Sequence, residues 1–177
     1  YDHVVQALRI MNDPRGLGIS ARRITLSTAG ITPAIERLKN LGLQVNLSLS
    51  LHLVKDEVRA KLMPITKKYP LEGLLRACRN YAQTSGRMMT LEYILLRDIN
   101  DSPDDARRLA TIATKLRAKV NLIPYSRVCG PDFKAPPKKT TGLFVSWLKE
   151  KGVSPTLRRS KGADIQAACG QLAGQKS

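Results

Sequence analysis

Val45-Asn46-Leu47-Ser48-Leu49-Ser50-Leu51 alternates apolar residues with small polar ones, and His52 follows at once. A period of two predicts a β-strand, with His52 just past its C-terminal end. Comparable runs predict strands at 22–28, 88–96 and 119–124, and a closing strand at 156–159. Helical apolar spacing fills the intervals, at 34–40, 56–63, 71–84, 103–116 and 140–151, and also opens the chain at 1–12. Pro33 suits a first helical turn, Ser102 a cap ahead of Pro103, and Pro64 a stop. Strands alternating with helices imply an α/β chain built on a parallel sheet. A doubly wound sheet and a β/α barrel both satisfy that pattern. No G-x-G-x-x-G follows a strand, which weighs against a dinucleotide-binding sheet.

In either architecture, chemistry sits beyond the C-terminal ends of the strands. The polar residues predicted there are Ser27, Thr28, Ser50, His52, Asp98 and Ser126. A shared rim makes them candidates for one ligand site. Strand-end caps and a hydrogen-bonded loop histidine are the competing structural roles. Glu92 would share a strand face with Thr90 and Ile94. A carboxylate lining a barrel serves either catalysis or an internal partner such as an arginine.

The 177 residues suffice for one domain with a substantial core, and 42% hydrophobic content is globular rather than disordered. No apolar run is long enough to span a bilayer, and no secretory signal opens the chain. Lysine and arginine number 30 against 14 acidic residues, a formal charge of +16. Such an excess suits a polyanionic partner: RNA, DNA or an anionic membrane surface.

The three cysteines, Cys78, Cys129 and Cys169, are odd in number and far apart. That argues against a disulfide framework and a metal cluster and for a reducing compartment. Cys78 falls on the apolar side of the 71–84 helix, as a small core residue would. Cys169 ends a different kind of stretch, Gly162-Ala163-Asp164-Ile165-Gln166-Ala167-Ala168-Cys169-Gly170, behind Arg158, Arg159 and Lys161. Small neighbours leave room beside the sulfur, and nearby cations favour the thiolate. A small buried cysteine packing a helix start is the plainer alternative.

That tail resembles the C-terminal signature of the RlmN/Cfr family, radical S-adenosylmethionine (SAM) enzymes that methylate an adenosine in RNA. Further blocks match in the same order: Asn12-Asp13-Pro14-Arg15-Gly16-Leu17-Gly18, Ser50-Leu51-His52, Leu62-Met63-Pro64-Ile65, Glu92-Tyr93, Asn100-Asp101-Ser102 and Asn121-Leu122-Ile123-Pro124-Tyr125. The resemblance implies the C-terminal portion of an incomplete β/α (TIM-like) barrel. It implies SAM contacts at Ser27, Ser50, Leu51 and His52, and at Ser126, where the family has an asparagine. Leu53-Val54-Lys55 stands where the family usually shows Ala-Pro-Asn.

By the same resemblance, Cys169 is the catalytic residue: it accepts a methyl group from one SAM and passes the carbon to adenine, carbon 2 in the commoner activity. A second SAM, split at a [4Fe-4S] cluster, supplies the radical. An electron donor feeds that cluster. The implied partners are 23S rRNA and tRNA, and the implied setting is a monomer in the bacterial cytoplasm or an organelle. The cluster's CxxxCxxC motif and the family's second cysteine are absent from this sequence. The expectation is therefore one domain, residues 1–177, with a methyl-carrying tail from about 156, equivalent to the C-terminal part of the enzyme and inactive alone. Two other classes fit the residues less fully: a non-catalytic basic RNA-binding module or pseudoenzyme, and an unrelated β/α-barrel enzyme with Cys169 structural.

Overall fold

A computed structural model describes residues 1–126 and 132–158. Five strands form one sheet: β1 (Thr25–Thr28), β2 (Asn46–Ser50), β3 (Thr90–Leu95), β4 (Lys119–Pro124) and β5 (Thr156–Leu157). They lie side by side in chain order, every neighbouring pair parallel. The helices are α1 (Asp2–Asn12), α2 (Thr32–Leu38), α3 (Asp56–Leu62), α4 (Ile65–Lys68), α5 (Leu71–Ser85), α6 (Pro103–Leu116) and α7 (Lys138–Glu150). A doubly wound sheet reverses its strand order part-way so that helices cover both faces. Here the order never reverses, so right-handed crossovers put the helices on one side. The result is an open arc of a β/α barrel.

The two faces of the arc differ in chemistry. Leu47, Leu49, Leu91, Tyr93, Leu95, Val120 and Leu122 are buried in one cluster with Ile35, Leu74, Cys78, Leu109 and Phe144 from the helices. Tyr93 stacks on Phe144 at 5.7 Å, and the buried Tyr81 hydroxyl donates to the Val45 carbonyl at 2.8 Å. The alternate positions, Ser27, Ser48, Ser50, Thr90, Glu92 and Asn121, line the concave face and are polar. Gly30 lets the turn between β1 and α2 pass close against α5. Its φ is +111°, and a Cβ there would lie 2.7 Å from the Leu74 side chain.

Boundaries shift where local hydrogen bonding competes with the sheet. The first strand begins at Thr25 rather than 22, because 21–23 coil into a 3-10 turn closed by Ile24 N–H to the Ala21 carbonyl. Pro64 ends α3 as expected, but α4 restarts beyond it. Ser102 caps α6 in a reciprocal box with Asp105. On α7, Phe144 and Leu148 are fully buried while Leu143 is 43% exposed, so the apolar side is narrower than the spacing predicts. Val4 is likewise exposed beside the buried Val5 and Leu8. No helix among the described residues is long and apolar enough to cross a membrane.

Cys78 is fully buried, and burial pushes its thiol up to about 12. At neutral pH it should therefore resist maleimide until the chain unfolds. Peptide mass spectrometry after native labelling should find Cys78 unmodified, and labelling in denaturant should be complete. Rapid native modification of Cys78 would mean the α5 packing is wrong.

Candidate functional site

All five strands end at one edge, and each described residue predicted for the site lies at that edge or on the concave face below it. Ser27 stands on β1 and is exposed; Ser50 ends β2 and is half-buried. Below the rim, Ser50 is level with Glu92 on β3, which is level with Asn121 on β4. Glu92 accepts hydrogen bonds from Ser48 Oγ at 3.0 Å and Asn121 Nδ2 at 2.7 Å. Among the described residues, the partners of this barrel-lining carboxylate are therefore two neutral donors and not an arginine. Together they make a polar floor held by three adjacent strands.

The arginine that matters lies outside the floor. Arg59, on α3, is fully buried. Its Nε donates to the Leu51 carbonyl at 3.1 Å and its Nη1 to Thr66 Oγ1 at 2.7 Å. Its Nη2 donates to the carbonyls of Ala29 at 2.9 Å and Ser50 at 3.3 Å. One guanidinium thus joins the chain leaving β1 to the chain leaving β2. The planar fork of five N–H donors suits this, where a lysine's single ammonium does not. Sequence reading missed Arg59, because an Arg in a short charged helix, Asp56-Glu57-Val58-Arg59, reads as a solvated cation. Its fate is set by α3 crossing the strand ends.

Leu51 and His52 follow from that anchor. Leu51 is fully buried, and its N–H donates to the Glu92 carbonyl at 3.1 Å. Its backbone and side chain are thus both engaged inside the fold. It holds the turn and presents no surface to a ligand. His52 takes φ +55°, a left-handed conformation tolerated by histidine better than by most residues. Its N–H donates to the Glu92 carbonyl at 3.0 Å, and its Nδ1 accepts from Ile94 N–H at 3.3 Å. Nδ1 as acceptor fixes the neutral tautomer, leaving Nε2–H as the ring's donor. Burial, helped by the charge of Arg59, lowers the His52 pKa to about 4.

Asn100 locks the turn from behind. It is 1% exposed. Its Nδ2 donates to the carbonyls of His52 and Ile94, both at 2.7 Å, and its Oδ1 accepts from Leu96 N–H at 2.7 Å. The Asn-Asp-Ser-Pro string signalled a turn, but not this bridge of 48 residues in sequence. Asp98 sits in that turn at φ +58°, its N–H donating to Asp101, and is not drawn into the floor.

At the end of β4 the Tyr125 hydroxyl is buried with no hydrogen-bond partner among the described residues. A buried orphan hydroxyl at a rim is what a polar ligand would satisfy. Serine hydroxyls at 27 and 50, a neutral imidazole donor at 52 and this hydroxyl suit a ligand with hydroxyls and an amino-acid end, as SAM has. Ser126 follows Tyr125 at the same end. Cys169 and Cys129 lie outside the described residues. The three cysteines form no clustered triad in sequence, so this chain's residues do not fit a cubane cluster.

No protein-family model matches the chain. Individual proteins do. It is 45% identical over 98% of its length to the dual-specificity RNA methyltransferase RlmN of Syntrophotalea carbinolica, covering 47% of that protein. It is 49% identical over 97% of its length to the RlmN of Paramagnetospirillum magneticum, covering 38%. Over almost its whole length the chain is similar to RlmN proteins. It spans about half the length of the curated relatives it matches. A radical SAM methyltransferase from Sphaerobacter thermophilus superposes with TM-score 0.90 at 39% identity, covering 97% of this chain and 50% of that one. A domain of pyruvate-formate lyase-activating enzyme from Bacteroides vulgatus shares the fold alone, at TM-score 0.66 and 15% identity, covering 89% of this chain and 91% of that one. The open arc is thus the partial TIM barrel of the radical SAM enzymes.

Two outcomes test this rim. Arg59→Met should destabilise by about 3–5 kcal/mol, since it strands buried carbonyls at two strand ends. Urea denaturation should show Arg59→Lys falling in between and the exposed Lys61→Met unchanged within about 0.5 kcal/mol.

The second outcome concerns pH. The folded His52 binds its proton more weakly than the unfolded one, so stability is full above the unfolded pKa of 6.5 and falls as pH drops toward about 4. The loss is about 3 kcal/mol at most. His52→Asn tolerates the left-handed turn and should remove this part of the acid sensitivity between pH 6.5 and 4, read as the difference between the two denaturation profiles.

Proposed function

We propose that this chain forms the C-terminal, substrate-facing part of a radical SAM RNA methyltransferase, acting on an adenosine at carbon 2 in 23S rRNA and tRNA. The observation that carries this reading is the 45% identity to an RlmN running over 98% of the chain, a span that takes in the Cys169 motif. The strand-end geometry supports it independently. Ser27, Ser50 and His52 would bind SAM with Ser126, while Leu51 sets the turn that presents His52. SAM supplies an electrophilic methyl group and, reduced at a cluster this chain does not ligate, a radical initiator.

Each residue's work is then distinct. The neutral His52 donates from Nε2 without adding positive charge beside a sulfonium. The Glu92 floor holds three strands in register beneath the ligand. Cys169, as thiolate, forms a new bond from sulfur to the methyl carbon while the departing sulfur keeps the electron pair. The cations at 158, 159 and 161 favour that thiolate. The residues flanking Cys169 in sequence are small, which suits a thiol that an RNA base must reach. Residues 1–177 would act as one unit, with the tail from about 156 carrying the thiol. The proposed setting is the cytoplasm, as a monomer served by an external electron donor.

The test uses the protein with the segment that precedes this region in its relatives. After growth on methyl-deuterated methionine, mass spectrometry should find the label on the Cys169 peptide. Cys169→Ala should abolish RNA methylation while leaving SAM binding intact. Label on Cys78 or Cys129, or methylation by the Ala variant, would overturn the assignment.

A further inference from the structure

The basic residues of this chain fall into two kinds. Several are ion-paired locally: Lys39 with Glu36, Lys55 with Asp104 and Asp105, Arg107 and Arg108 with Asp104. Many others are not, and five of those lie together. Arg76 and Arg79 on α5, Arg87 before β3, and Lys115 and Arg117 at the end of α6 have no ion-pair partner among the described residues. These five line two adjoining grooves between α5 and α6, of about 910 and 340 Å³, which share Arg79, Lys115 and Leu116. The contrast runs along a single helix: the first turns of α6 pair their arginines with Asp104, and the last turn does not.

Compensation of helix ends does not account for this. Both helices terminate here in left-handed caps, Gly86 at φ +63° and Arg117 at φ +49°. Each C-terminus carries about half a negative charge. Two ends and Glu72, the one carboxylate lining the grooves, offset about two of the five cations. A surplus of about three remains. Arg87 is also held in place, its Nε and Nη2 both donating to Asn46 Oδ1 at 3.1 and 2.8 Å. That acceptor is neutral, so the charge is fixed in position and still available.

The groove opens at the N-terminal edge of the sheet, beside Met88 and Arg117, opposite the rim that carries Ser50 and His52. Six residues of β3 separate the two edges, about 20 Å at the usual rise. Among the described residues no aromatic side chain lines it, so it offers charge without base stacking. We infer that the α5–α6 groove is a second RNA-contacting surface that takes phosphates of a stem flanking the target base, independently of sequence. This rests on the RNA reading above and adds the place where the RNA is held at a distance from the chemistry.

Fluorescence anisotropy with a labelled RNA stem–loop, over a salt series, tests it. The groove variant Arg79→Glu/Lys115→Glu/Arg117→Glu is compared with Arg9→Glu/Lys67→Glu/Lys149→Glu, an equal charge change scattered over exposed positions of α1, α4 and α7. The groove variant should bind at least about tenfold more weakly at low salt, and its log–log salt slope should fall by about two to three units. The scattered variant should lose less than one unit. The milder triple substitution of the groove residues to Gln should lie between, with thermal melts matching the unsubstituted protein.

Equal losses in the two Glu variants would mean that only net charge matters, and would overturn the groove while leaving the RNA reading intact. No loss in the groove variant would do the same. Failure of the unsubstituted protein to bind the stem–loop would overturn both. If poly-glutamate of equal charge binds as tightly as RNA and is weakened as much by the groove variant, the assignment to RNA falls.

Discussion

The Arg59 guanidinium sets the shape of the rim. Where parallel strands end, their last carbonyls lose the ladder that satisfied them, and each one left buried without a donor costs about 1–3 kcal/mol. Here three such carbonyls, from Ala29, Ser50 and Leu51, converge on one fully buried side chain. The charge needs no carboxylate, because those carbonyls and a threonine hydroxyl surround it with aligned dipoles. Thr66 supplies that hydroxyl from α4, so the short helix beyond Pro64 belongs to the same construction. Taking up the donors closes the ends of β1 and β2 against each other, and the position of Ser50 follows.

His52 depends on that closure. Its left-handed backbone is held by Glu92 on one side and Asn100 on the other, while its ring accepts from Ile94. A strained residue over-determined from several directions is characteristic of a ligand-facing turn. Holding the ring in a dry setting also keeps it uncharged near neutral pH. The rim therefore offers a fixed hydrogen-bond donor and serine hydroxyls and adds no histidine charge.

Division of the sheet into an apolar convex face and a polar concave face follows from one-sided winding. Among the described residues, helices cover the convex face, where Tyr93 and Phe144 stack within the leucine core. The concave face is left to small polar residues around Glu92. Charge divides in a similar way. Acidic residues of α6 cluster at its N-terminus, where they suit the helix dipole and where Asp104 pairs with Arg107 and Arg108. The opposite end stays basic, so much of the formal +16 is available to a polyanion rather than spent within the fold.

By itself the sequence determined the α/β class, the five strands, the capped helix at 103–116, the buried Cys78 and the RlmN resemblance. All of these rest on local period, capping chemistry or a linear motif. It left open whether the sheet was doubly wound or barrel-like, because periodicity does not encode strand order. Only the tertiary structure decided that the order runs without reversal. It also assigned Glu92 to Ser48 and Asn121, buried Arg59 among carbonyls, withdrew Leu51 from the ligand surface and bridged Asn100 to His52. Each of these joins residues far apart in the chain, where the polar type is visible but its partner is not. Arg59 and Arg108 are the same residue in sequence; one ends in the core and one beside Asp104 because of where α3 and α6 cross the sheet.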